Sequence, residues 1–249
     1  MPPPRWIVVA TATVLTVACG GSPAPAPSAS AGPDPAITAT ISGRVRFDGP
    51  APAAEFVRLD ADRNCVTLTG SDQRPTEFIL LGSGDALQNV FVYVKDGLEK
   101  HTFPVPSPPV VLDQQKCRYV PRVLGVRVGQ PLEILNSDPL LHNVRADGAI
   151  NQPFNQGQPV QGMKFSRTFT TREVMVPVKC DVHPWMNAYV GVLEHPYFAV
   201  TGEAGTFSLP NLPPGTYTIE AWHERLGVRT TQVTVGPKGS KDVVFTFTR

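Results

Sequence analysis

Apolar and polar residues alternate with a period of two over Ile41–Phe47, Asn89–Lys95, Val123–Val128, Met163–Phe169, Tyr189–Leu193, Thr216–Trp222, Val228–Val235 and Asp242–Thr248. Val, Ile, Thr and aromatic residues fill these stretches, and Pro and Gly break the chain between them. Such alternation marks a strand with one buried face, and no amphipathic repeat of helix length intervenes. Many short strands punctuated in this way predict an all-β molecule built of packed sandwiches.

The first residues follow a different pattern. Arg5 precedes an apolar run, Trp6 to Ala18, that is too short to span a bilayer as a helix and reads as an export signal. The run ends Leu15-Thr16-Val17-Ala18-Cys19-Gly20, which resembles a bacterial lipoprotein processing site. The resemblance implies a leader over residues 1–19 with Cys19 as the lipidated, membrane-anchoring residue. Ordinary cleavage near Ala18 is the alternative. Residues 20–37 are rich in Pro, Ala and Ser, bury too little apolar surface to fold, and read as a tether. Roughly 210 residues remain, room for two small domains.

Two segments carry the candidate chemistry. Cys180-Asp181-Val182-His183-Pro184-Trp185-Met186 follows, at a distance, Asn136-Ser137-Asp138-Pro139-Leu140-Leu141-His142-Asn143-Val144. Together they offer one thiolate, two imidazoles and one thioether. Soft sulfur suits Cu(I), imidazole suits both oxidation states, and a His₂Cys set with a weak axial Met is a one-electron copper site. Taken singly, His142 reads as a hydrogen-bonded structural residue and Met186 as core filling. Tyr119-Val120-Pro121, the Val128-Gly129-Gln130 turn and the N-x-D-P-x-x-H-N segment resemble the first half of a plastocyanin-type cupredoxin, and Cys180–Met186 resembles its ligand loop. The resemblance implies a Greek-key β-sandwich with His142, Cys180 and His183 as strong ligands and Met186 as a weak one. Plastocyanin-type loops place Met where this chain has Ala188, so the axial ligand is open. The spacing from His183 to Met186 is instead that of a binuclear centre, but the loop lacks the second Cys such a centre needs, which leaves one copper ion. Asn143 is expected to tie the His142 strand to the Cys180 loop.

With Cys19 assigned to lipid and Cys180 to copper, Cys65 and Cys117 remain. In an oxidising compartment they are expected to form a disulfide. Net charge is +1, from 22 basic and 21 acidic residues, and the basic residues are scattered. No basic stripe exists to neutralise a phosphate backbone, which argues against nucleic acid. No catalytic Ser/His/Asp order, phosphate loop or carboxylate pair stands out, so no enzyme is expected.

Phe198 to Tyr217, with Gly205-Thr206-Phe207-Ser208-Leu209 and Pro213-Pro214-Gly215-Thr216-Tyr217, resembles the carboxypeptidase regulatory-like domain, a transthyretin-like β-sandwich. That family begins with strands like Ile41–Val45 and Asn89–Val94, which here precede the copper motif. The expected organisation is a discontinuous sandwich from 38–100 and 196–249 with a cupredoxin, 101–195, inserted. A tandem arrangement, with the N-terminal strands joining the cupredoxin, is the alternative.

These readings imply an exported, lipid-anchored electron-transfer protein. Apolar Leu140, Leu141 and Trp185 are expected to surround an edge-exposed His183 where a redox partner protein docks. A copper carrier and a metal-free surface adhesion module are the alternatives.

Overall fold

The computed structural model describes residues 1–2 and 36–249; Cys19, most of the leader and nearly all of the tether lie outside the described residues. Along Ala39–Phe47 every second side chain turns inward, so Ile41, Val45 and Phe47 are buried and Arg44 and Arg46 exposed. This strand runs antiparallel to Thr206–Leu212 and parallel to Ser240–Phe247. The close parallel pairing requires Gly43, where a Cβ would stand 1.8 Å from the Val243 carbonyl oxygen. A facing sheet orders Phe198–Val200, Phe91–Asp96, Gly215–His223 and Gly227–Val235. Ile41, Val45, Val92, Val94, Leu209, Ile219, Phe245 and Phe247 fill the space between the two sheets. Strands from both ends of the described chain therefore share one core.

The residues between them build a second pair of sheets. One orders Phe154–Gln158, His142–Ala146, Glu173–Lys179, Asn187–Leu193 and Val123–Arg127; the other orders Lys164–Thr168, Pro131–Asn136, Val110–Gln114 and Tyr119–Val120. Leu112, Leu124, Val126, Leu132, Ile134, Val144, Val178 and Val190 form its core. The fold is all-β apart from one short helix among the described residues, Arg63–Thr69, which the sequence reading did not expect.

That helix belongs to an excursion within the 38–100 span. Phe56–Arg58 pairs with Gln73–Pro75, and the helix sits between them. Asp62 caps its start by accepting from the Asn64 N–H, and Gly70, at φ 72°, ends it in the left-handed conformation that glycine adopts without strain. Leu59 and Cys65, both fully buried, join the second core rather than the first. Cys65 is disulfide-bonded to Cys117, as the cysteine count predicted.

The two sandwiches meet face to face. Phe91, Tyr93, Val123, Met175 and Leu193 form a third buried cluster at this junction. Gly125 and Gly191 lie where a Cβ would fall 2.2 Å from the Phe198 ring and 2.5 Å from the Phe91 ring, so two missing side chains make room for two aromatics.

Candidate metal centre

Asn136, fully buried at the end of its strand, shapes the loop that leads to His142. Its amide donates to the Leu140 and Gln158 carbonyls, and its oxygen accepts from the Asp138 N–H. The turned loop directs the Asp138 carboxylate at three donors: the Lys116 N–H at 2.7 Å, the Cys117 N–H at 2.8 Å and His142 Nε2 at 2.9 Å. His142 then opens its strand with the ring fully buried.

Cys180 follows the strand Glu173–Lys179, and its loop closes on itself. The Met186 N–H donates to the His183 carbonyl at 2.9 Å, and the His183 N–H points at Cys180 Sγ at 3.4 Å. Asn143 bridges strand and loop: its oxygen accepts from the Asp181 N–H, and its amide donates to the Asp181 and Asn155 side chains. The Tyr119 hydroxyl adds a further tie, donating to the carbonyls of Asn143 and Lys179.

These loops bring His142, Cys180 and His183 together. The two Nδ1 atoms are 2.9 Å apart, His183 Nδ1 is 3.8 Å from the Cys180 sulfur, and one ligand atom from each residue lies within 4.8 Å of the others. All three side chains are buried. Met186 is 1% exposed in the same core, and its backbone closes the 180–186 loop.

The charges around the site oppose the usual effect of burial. Burial pushes the Cys180 thiol up, yet hydrogen bonds from His142, His183 and the backbone outweigh it and bring the thiol down to about 6. Burial would lower His142, but Asp138 and Cys180 raise it. Burial raises the Asp138 carboxyl, while His142 and two backbone N–H groups hold it below the ordinary carboxylate range. The pocket therefore stabilises a thiolate beside positive charge. Both imidazoles also turn Nε2 toward a carboxylate, which leaves two Nδ1 atoms facing each other beside a sulfur. At 2.9 Å one of the two Nδ1 atoms carries a proton toward the other, and a metal cation among the three atoms can take that proton's place, so the donor set fits a thiophilic metal ion.

One expectation needs correction. His183 is not edge-exposed: its side chain is 1% exposed, because Asp62 reaches over from the helix cap and places Oδ2 3.0 Å from Nε2. Leu140 is buried as well, Trp185 is half-buried with its indole N–H donating to the Cys117 carbonyl, and only Leu141 of the expected docking patch is exposed. Asp62 carries no local signal, standing 121 residues from its partner. Asp138 was within reach of sequence reasoning, four residues before His142 in the same motif. His195 and His223 are buried in backbone hydrogen bonds away from these donors.

The family described as polysaccharide lyase family 4, domain II, matches residues 170–243. That span runs from the strand before Cys180 into the other sandwich, and the family differs from the carboxypeptidase regulatory-like one that Phe198–Tyr217 resembles. No curated protein matches the chain. Among solved structures, the chain is similar to a copper-containing nitrite reductase from Thermus scotoductus SA-01, at 20% identity and TM-score 0.34, over 47% of this chain and 26% of that one. It is similar to a purple cupredoxin from Nitrosopumilus maritimus at 21% identity and TM-score 0.29, over 33% of this chain and 98% of that one. An amicyanin variant in its Cu(I) form is 23% identical at TM-score 0.31, over 41% of this chain and 97% of that one. Among the described residues no helix is long and apolar enough to cross a membrane.

Proposed function

We propose that this chain is an exported protein that binds one copper ion and passes single electrons, held at a membrane through Cys19. The observation that carries the reading is the buried convergence of Cys180 Sγ and one nitrogen from each of the two imidazoles within 4.8 Å. His142, Cys180 and His183 would hold the ion, with Met186 as a weak axial donor. Copper supplies the one-electron couple when bound. The chain's own residues keep the donors still. Asp138 and Asp62 brace the two rings, Asn143 joins strand to loop, and the closed 180–186 turn aims a backbone N–H at the sulfur. A site that moves little between oxidation states reorganises little, which suits electron transfer. The covered His183 edge supports this reading over copper carriage, because a carrier must open a ligand to its acceptor.

The remaining sandwich, in this reading a carboxypeptidase regulatory-like module interrupted by a cupredoxin, serves as spacer or docking unit and performs no catalysis. A redox partner protein then approaches over exposed Leu141 beside His142. The test is optical. Copper(II)-loaded protein is expected to show an intense visible sulfur-to-copper charge-transfer band that is absent in Cys180→Ser. A colourless protein after stoichiometric loading would overturn the electron-transfer reading.

A further inference from the structure

Outside the ligand set, one carboxylate stands against His183. Asp62 uses both oxygens: Oδ1 accepts from the Asn64 N–H at 2.8 Å and caps the helix, while Oδ2 meets His183 Nε2 at 3.0 Å. The residue reaches the site because the excursion carrying it is pinned there. Cys65, three positions on, is bonded to Cys117. The Cys117 N–H donates to Asp138, the carboxylate on the other imidazole, and the Cys117 carbonyl accepts from the Trp185 indole. Arg74 adds two donors, to the Lys116 and Cys117 carbonyls. One covalent bridge thus anchors both carboxylate–imidazole pairs.

We propose that Asp62 is a positioning residue of the metal centre: it accepts the Nε2 proton of His183, fixes that ring's tautomer, and holds Nδ1 toward Cys180 and His142. The inference rests on the copper reading for its consequence, but the geometry of His183 can be measured without copper. A neutral imidazole ligates through the nitrogen that bears no proton, and a carboxylate on the other nitrogen sets which one that is. Partners of this kind are worth about 10–100-fold in metal affinity. The negative charge also favours Cu(II) over Cu(I). Asp62 therefore acts on both retention and potential, through His183.

The experiment separates this role from helix capping. Serine caps a helix about as well as aspartate but is too short to reach the imidazole. Asp62→Ser is expected to weaken copper retention against a chromophoric chelator 10-fold or more and to raise the reduction potential, with the unfolding midpoint near that of the parent protein. Asp62→Asn, which keeps an acceptor oxygen, is expected to recover part of the retention. In the metal-free protein, long-range ¹H–¹⁵N NMR should find the His183 proton on Nε2, and Asp62→Ser should let the ring sample both tautomers. Unchanged retention, potential and tautomer in Asp62→Ser would overturn the proposal. A protein that takes up no copper but shows the tautomer change would overturn the copper reading and leave the positioning role standing.

Discussion

Cys180 is pulled in two directions, upward by burial and downward by the donors around it, and the donors prevail. Met186 lies in the same core at 1% exposure. A weak axial sulfur tunes a copper site that the thiolate and imidazoles build. Met186→Leu is a near volume-conserving swap costing less than about 1.5 kcal/mol. It is expected to keep copper and colour while raising the reduction potential, since loss of a donor destabilises Cu(II) relative to Cu(I). Voltammetry decides the point, and an unchanged potential and spectrum would make Met186 a core residue only. At this scale the sequence was legible where the candidate ligands sit in short motifs. His142, Asn143, Cys180 and His183 are each named by their neighbours. Asp62 was not, because its role depends on a disulfide and a helix cap that bring distant chain segments together.

Strands with one buried face and one wet face announce themselves; others do not. Phe154–Gln158 reads Phe-Asn-Gln-Gly-Gln, too polar for alternation to show, because it lies at a sheet edge. Glu173–Lys179 contains Pro177, a residue that argues against a strand, and it also begins with a register shift. Arg63–Thr69 spans too few residues to display a helical period, although Asp62 and Gly70 are sound cap signals. Two histidines give the other sandwich a pH dependence. His195 follows Asn187–Leu193 and His223 ends Gly215–His223, and burial lowers both to about 4. The unfolded chain takes up these protons near the ordinary 6.5 while the native fold refuses them. Their contribution to stability is thus full above about pH 6.5 and is lost as pH drops toward 4. Urea unfolding of the metal-free protein across that window should show the decline, and His195→Gln/His223→Gln should move its onset down into the carboxylate range. A parent curve that stays flat between 6.5 and 4.5 would contradict this account.

Across the whole molecule, the two sandwiches are joined by packing and by one buried ion pair. The Arg122 guanidinium meets both oxygens of Glu224, Nη2 at 2.8 Å from Oε2, with side chains 6% and 4% exposed. Burial alone would lower Arg122, but Glu224 raises it above the ordinary value. Removing one partner strands a buried charge, so Glu224→Gln is expected to cost about 3–5 kcal/mol in denaturant unfolding. A loss below about 1 kcal/mol would mean that Arg122 finds another partner or water. The period-two pattern foretold an all-β molecule, but the junction was hidden in the sequence. Gly125 and Gly191 look like flexible breaks in their strands, and only the aromatics stacked over them explain why glycine stands there. The candidate metal centre lies within this frame, and its occupant is the central claim. X-ray absorption at the copper edge of the loaded, full-length protein tests it most directly. The account predicts one thiolate sulfur and two imidazole nitrogens in the inner shell, with the sulfur replaced by a lighter scatterer in Cys180→Ser. An inner shell of oxygen and nitrogen alone, unchanged by Cys180→Ser, would contradict it.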